Sequence, residues 1–129
     1  MSELREKLFK FYEKEGEVPH QEMMYQDTDR QLLMKIHKEF LCGLLTKQTF
    51  VLDIGCSDGW FTTWLAKYAK VTIGLDISVR KLRRAVNESK DPKPSYVFAD
   101  WDQMHSSIGC SMSLCSQKVQ STRLMIIIP

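Results

Sequence analysis

Val51-Leu52-Asp53-Ile54-Gly55-Cys56-Ser57-Asp58-Gly59 joins a short apolar run to a glycine-bracketed turn, after which Trp60, Phe61, Trp64, Leu65 and Tyr68 recur at helical spacing. The run from Phe50 to Ile54 is mostly apolar without alternation, as a strand covered on both faces requires. Working outward, Val71-Thr72-Ile73-Gly74-Leu75-Asp76 predicts a second strand. Ser78 is placed to cap a helix that carries Val79, Leu82, Ala85 and Val86. Asp91-Pro92-Lys93-Pro94 reads as a loop, and Ser95-Tyr96-Val97-Phe98-Ala99 as a third strand. Strand, helix, strand, helix, strand is the pattern of a parallel α/β sheet with right-handed crossovers. Such sheets bind ligands at the carboxyl ends of their strands, near the point where strand order reverses. Three places qualify, each with a carboxylate: Asp53 to Gly59, Asp76-Ile77, and Asp100-Trp101.

The glycine turn suits two kinds of cofactor. Gly55 and Gly59 let the backbone turn tightly and come close to a ligand at the head of a helix. A dinucleotide seats its pyrophosphate on such a turn, usually with three glycines spaced G-x-G-x-x-G. Here Ser57 stands where the middle glycine would be, and Asp53 and Asp58 flank the turn. Like charges ~5 Å apart at an effective dielectric of ~20 repel by about 3 kcal/mol, which opposes a pyrophosphate. The same carboxylates favour a ligand with an ammonium group and a sulfonium. S-adenosylmethionine meets that description, and NAD does not.

The segment from Val51 to Gly59 resembles the first motif of class I S-adenosylmethionine-dependent methyltransferases, the D-x-G-x-x-x-G loop. The resemblance extends to Asp76, at the end of the second strand, and to Phe98-Ala99-Asp100-Trp101. It implies a Rossmann-like parallel sheet, S-adenosyl-L-methionine as cofactor, and methyl transfer to an acceptor that the sequence does not identify. By the same resemblance Asp53 helps hold the methionine end, Gly55, Cys56 and Gly59 shape the loop, and Asp76 accepts from the ribose hydroxyls. Ile77 packs on the adenine, and Asp100, beside Trp101, meets the adenine amino group. No residue is assigned a catalytic role. A family member of full size would have about seven strands, so the pattern is expected to stop early, after the third strand, as in a truncated or alternative-ended product. The rival reading is a non-catalytic relative that binds cofactor or a partner without turnover.

Ahead of this core, Leu4, Leu8, Phe11 and Tyr12 predict one amphipathic helix. Thr28 and Gln31 have the spacing of a capping box for a second, with Leu32, Leu33, Ile36, Phe40, Leu41, Leu44 and Leu45 as its apolar face. Residues 1–46 are therefore read as a helical cap, 47–102 as the cofactor-binding core, and 103–129 as an atypical tail with one further strand at Leu124–Ile128. His20 and Tyr25 are candidates to line the pocket, while His37 reads as a boundary residue of its helix. Cys110, Cys115 and His105 do not make a metal site, because a second pair of ligands at metal spacing is lacking.

Composition narrows the class. The chain has 129 residues, 43% hydrophobic and 26% charged, the balance of an ordinary single globular domain. No apolar run reaches the ~18 residues of a membrane span, and the charged start of the chain lacks a signal-peptide core. Four scattered cysteines point to a reducing, cytoplasmic location rather than a disulfide scaffold. The net charge is +2, yet all 16 acidic and 16 of the 18 basic residues lie in positions 1–102. A neutral body gives no electrostatic reason to grip nucleic acid. Arg80, Lys81, Arg83 and Arg84 are read as a solvated helix face, since no aromatics are interleaved for base stacking. Half a doubly wound sheet would leave a strand edge and an apolar face open, so self-association through that edge is expected.

Overall fold

The computed structural model describes residues 3–15, 28–100, 117–119 and 123–128. Two helices come first, α1 (Glu3–Glu15) and α2 (Thr28–Cys42). Then β1 (Phe50–Ile54), α3 (Trp60–Ala66), β2 (Val71–Asp76), α4 (Val79–Glu88) and β3 (Ser95–Phe98) alternate as the sequence predicts. Two strands close the chain, β4 (Gln117–Val119) and β5 (Arg123–Ile128).

These strands form one sheet in the order β3-β2-β1-β5-β4. The first three are parallel, with Leu52 opposite Ile73 and Gly74 opposite Tyr96. This is the Rossmann-like arrangement that the alternating pattern requires. The tail differs from expectation, since it contributes two strands instead of one. β5 runs antiparallel along β1, pairing Phe50 with Ile128 and Ile54 with Leu124, and β4 pairs antiparallel with β5. Gln117-Lys118-Val119 is too short and too polar to show a strand period, which is why the second strand escapes a sequence reading. The pairing also closes the β1 edge, leaving β3 and β4 as the outer strands.

Alternation sends Val51 and Asp53 to the face where α2 and α3 pack. There Leu41, Leu45, Val51, Phe61, Leu65 and Ala69 form the core, with Met34, Trp60 and Trp64 packed against it. α2 docks along Met34, Lys38 and Leu41, a stripe at helical spacing, and Leu45, just past its end, joins the same core. Lys38 lays its ammonium 4.6 Å from the Trp60 ring and 5.3 Å from the Trp64 ring. Burial, and next to it the charge of Lys67, lowers the pKa of Lys38. The apolar face read from the sequence is thus only partly the docked one: Leu32, Leu33, Ile36, Phe40 and Leu44 are exposed.

α1 shows the same shift. Leu4, Leu8 and Phe11 are exposed, and of the expected face only Tyr12 docks, together with Phe9 and Glu13. Phe9 meets Phe98 edge-on at 6.3 Å, Tyr12 lies under Lys81, and Glu13 accepts from the Arg80 N–H. On the other face of the sheet Phe50, Val71 and Val97 are each exposed. No helix among the described residues is long and apolar enough to cross a membrane.

Gly74 sits in mid-strand because a neighbour needs its space. A Cβ there would lie 2.8 Å from Tyr96 Cδ1 and 2.9 Å from Cys56 Sγ. Gly74→Ala is expected to cost about 1–3 kcal/mol through overpacking, read as a lower urea midpoint with an unchanged slope.

Candidate functional site

The site is built where β1 and β2 end side by side. Leaving β1, the chain reverses through Gly55 (φ 78°), Ser57 (φ 55°) and Gly59 (φ 76°), three left-handed residues in five. Glycine adopts that conformation freely, but Ser57 does so against a Cβ clash, so something must hold it. The holder is Asp76. Its Oδ2 accepts from the Ser57 N–H at 2.7 Å and its Oδ1 from the Ser78 N–H at 2.9 Å. One carboxylate thereby ties the glycine turn to the β2–α4 turn. The Gly55 and Cys56 N–H groups both donate to the Leu75 carbonyl, at 2.8 and 3.0 Å, and anchor the other side of the loop.

Beneath the loop lies Asp53, fully buried. Its Oδ2 accepts from the Thr62 hydroxyl of α3 at 2.7 Å, while its Oδ1 has no hydrogen-bond partner among the described residues. No cation pairs with it among those residues. A buried carboxylate without a counter-charge is costly and projects its field to the nearest surface, here the loop. The Ser57 hydroxyl is likewise buried and without a partner among the described residues.

Asp58 behaves otherwise. It turns inward, with its Oδ2 3.9 Å from Arg84 on α4, and both side chains are largely buried. The rim therefore draws its negative charge from Asp53 and Asp76, with Asp58 balanced by Arg84. Of the basic cluster on α4, Arg84 is accordingly not a solvated residue, because it reaches back to the loop.

Gly59 ends the loop as the N-cap of α3, with no side-chain cap. Ser78 caps α4 as predicted, accepting from the Lys81 N–H at 3.3 Å. Cys56 is fully buried and lies against Gly74, a small residue in a tight place. Ile77, half-buried, follows Asp76 at the strand end. The Asp76 carbonyl accepts from the Ala99 N–H, which brings the end of β3 alongside. Asp100, next in the chain, lies 3.6 Å from the Arg5 guanidinium of α1. The structure thus gathers Asp53, Gly55, Cys56, Gly59, Asp76 and Ile77 at one end of the sheet and sets Asp100 at its β3 margin under α1. Trp101, His20, Tyr25, His105, Cys110 and Cys115 lie outside the described residues.

Three participants escape the sequence reading. Thr62 and Arg84 reveal themselves only through their carboxylate partners. Tyr96 is the third: its hydroxyl is 2.7 Å from Ser89 Oγ, 3.4 Å from Thr63 Oγ1 and 3.5 Å from the Gly59 carbonyl. Burial raises its pKa, against the lowering effect of the Ser89 and Thr63 hydrogen bonds. The two glycines at 59 and 74 were the available signal, since each marks space that a large side chain fills.

Known proteins share this segment. Residues 52–110 match a family model described as a methyltransferase domain. The probable methyltransferase ltbC of Aspergillus luteorubrus is 41% identical over 59 residues, 42% of this chain and 21% of that protein. A crystal structure of a SAM-dependent methyltransferase from Anabaena variabilis is 27% identical, with a TM-score of 0.43, covering 63% of this chain and 35% of that one. The chain spans about a fifth of the length of the first and about a third of the second. With a strand-end loop of D-x-G-x-x-x-G form on a parallel β1–β2–β3 sheet, this segment is similar to a methyltransferase domain.

Proposed function

We propose that this chain binds S-adenosylmethionine at the loop from Gly55 to Gly59 and serves methyl transfer to an acceptor. One observation carries the reading: the uncompensated carboxylate of Asp53 lies buried directly beneath a loop that Asp76 holds in place. A negative field at a backbone loop favours a cationic ligand and disfavours a pyrophosphate. That argues against a nucleotide-dependent oxidoreductase. The orphaned Ser57 hydroxyl is a further polar group suited to the ligand.

Gly55, Cys56 and Gly59 would shape the cradle for the methionine end, with Asp53 acting through its field. Each Asp76 oxygen keeps a lone pair beyond its backbone bond, which suits ribose hydroxyls. Ile77 would face the adenine, with Asp100 and Trp101 at its margin. The cofactor brings an electrophilic methyl on a good leaving group, so the chain's own task is largely alignment. A cytoplasmic location goes with this reading, as does association through the outer sheet edge at β3 or β4.

A second reading, cofactor binding without turnover, draws on β5. Its antiparallel run beside β1 takes the place where the family resemblance leads one to expect the strand that positions substrate.

Calorimetric titration tests the main reading. S-adenosylhomocysteine is expected to bind, and NADH is not. Asp53→Asn keeps the shape and an acceptor for Thr62 but removes the charge, so affinity should fall by about 1.5–3 kcal/mol while the fold persists. Equal affinity in wild type and variant would remove Asp53 from the site. Asp76→Ala should weaken binding by about 1.5–3 kcal/mol, the range for bonds to a charged group, and should also loosen the loop. Radiolabelled methyl transfer decides between the readings, since binding with no turnover on any acceptor class supports the second.

A further inference from the structure

Tyr96 is the largest side chain in contact with the loop that no assigned role explains. It belongs to β3, two strands from β1, and reaches across Gly74 of β2 to the head of α3. Its ring crowds the space that a Cβ on Gly74 would occupy, 2.8 Å from that point, and Cys56 Sγ lies 2.9 Å from the same point. Its hydroxyl end fills the space that a Cβ on Gly59 would need, so oxygen and loop backbone are in direct contact. Of the loop residues, Gly59 therefore meets the hydroxyl end of this rigid side chain, and Cys56 shares with its ring the space beside Gly74.

The hydroxyl itself does not swing freely. Ser89, the C-cap of α4, holds it at 2.7 Å and in turn donates to the Ala85 carbonyl at 2.6 Å. Thr63 Oγ1 lies 3.4 Å away and donates to the Gly59 carbonyl at 2.9 Å. The chain of contacts runs from the end of α4 through Tyr96 and Thr63 to the last residue of the loop. Asp76 fixes the loop at Ser57, from the β2 side. Gly59 lies beyond that clamp, its N–H donating to the Cys56 carbonyl at 3.0 Å and its carbonyl accepting from the Thr63 N–H at 2.9 Å.

We propose that Tyr96 is a positioning residue for the cofactor loop, setting the place of Gly59 as Asp76 sets that of Ser57. This rests on the S-adenosylmethionine reading for its functional consequence, though not for the hold on the loop. The Ser89 and Thr63 hydroxyls donate to the Ala85 and Gly59 carbonyls, so the single phenol proton goes to Ser89 Oγ and pins the hydroxyl end of Tyr96 beside Gly59.

Tyr96→Phe tests the idea, because it keeps the ring against Gly74 and removes only the oxygen. Amide hydrogen exchange on the 129-residue chain should show the Gly59 N–H opening about fivefold faster, the worth of one neutral hydrogen bond, here that to Ser89, while the Ser57 N–H, held by Asp76, keeps its rate. The amides of β1 and β2 should keep their wild-type rates. Affinity for S-adenosylhomocysteine should fall by a similar factor, while the urea midpoint moves little. Unchanged loop exchange overturns the proposal. So does equal acceleration of loop and strand amides, which is what general destabilisation would give. Should Tyr96→Phe unfold, Ser89→Ala takes its place: it removes the acceptor that pins the hydroxyl and should accelerate the same Gly59 amide, and a wild-type rate there overturns the proposal. A wild-type chain that does not bind S-adenosylhomocysteine sinks the cofactor reading, and the exchange pattern then still decides whether Tyr96 holds the loop.

Discussion

Everything at the carboxyl end of this sheet depends on one carboxylate accepting two backbone N–H groups. Asp76 closes a bridge between the β1–α3 turn and the β2–α4 turn. Without it, Ser57 has no compensation for its left-handed backbone, and the end of β1 has no fixed relation to the end of β2. Hydrogen bonds to a charged acceptor are worth about twice neutral ones, which is enough to offset the cost of one strained residue. The bridge also draws the Asp76 charge toward its own backbone donors, while the Asp53 charge stays largely uncompensated. Two acids of similar burial thus do different work: one builds the loop and the other sets the potential beneath it.

The sheet core was legible because its residues obey local rules. Phe50–Ile54, Val71–Asp76 and Ser95–Phe98 are short apolar runs bounded by turn signals, and Ser78 stands where a cap must stand. Outside the core, local rules gave two answers. On α1 the face read from Leu4, Leu8, Phe11 and Tyr12 docks only through Tyr12, and the tertiary partner Phe98 draws in Phe9 beside it. On α2 the selection falls to Trp60 and Trp64, whose rings draw in the stripe containing Lys38. Periodicity predicts that a helix has an apolar face, but it cannot choose between two adjacent ones.

The candidate site was readable to the same depth. Positions of the acids follow from strand ends, whereas their pairings depend on residues far away in the chain. Asp58 and Arg84 are 26 positions apart, and their ion pair cancels a charge that sequence arithmetic counts toward the ligand. Asp100 is met by Arg5, across most of the core. The preference for a cationic ligand survives these corrections, because the carboxylate that lacks a counter-charge among the described residues is the one buried under the loop.

The antiparallel strand bears on what kind of crevice this sheet presents. In a doubly wound sheet, crossovers that depart from a central strand in opposite directions open a gap above their shared edge, and ligands enter there. Here β1 to β2 to β3 proceeds in one direction only, and β5 meets β1 head to tail, with Leu124 beside Ile54. The backbone entering β5 therefore arrives at the same end of the sheet as the glycine loop, whereas a parallel neighbour would begin at the far end. The ligand-facing rim is bounded on one side by Asp76 and the start of α4, and on the other by the start of β5. A parallel strand in that place would deliver its carboxyl end, and whatever side chains follow it, to the rim. An antiparallel one delivers its amino end instead, so this side of the rim is bordered by Leu124 and not by the carboxyl end of a strand.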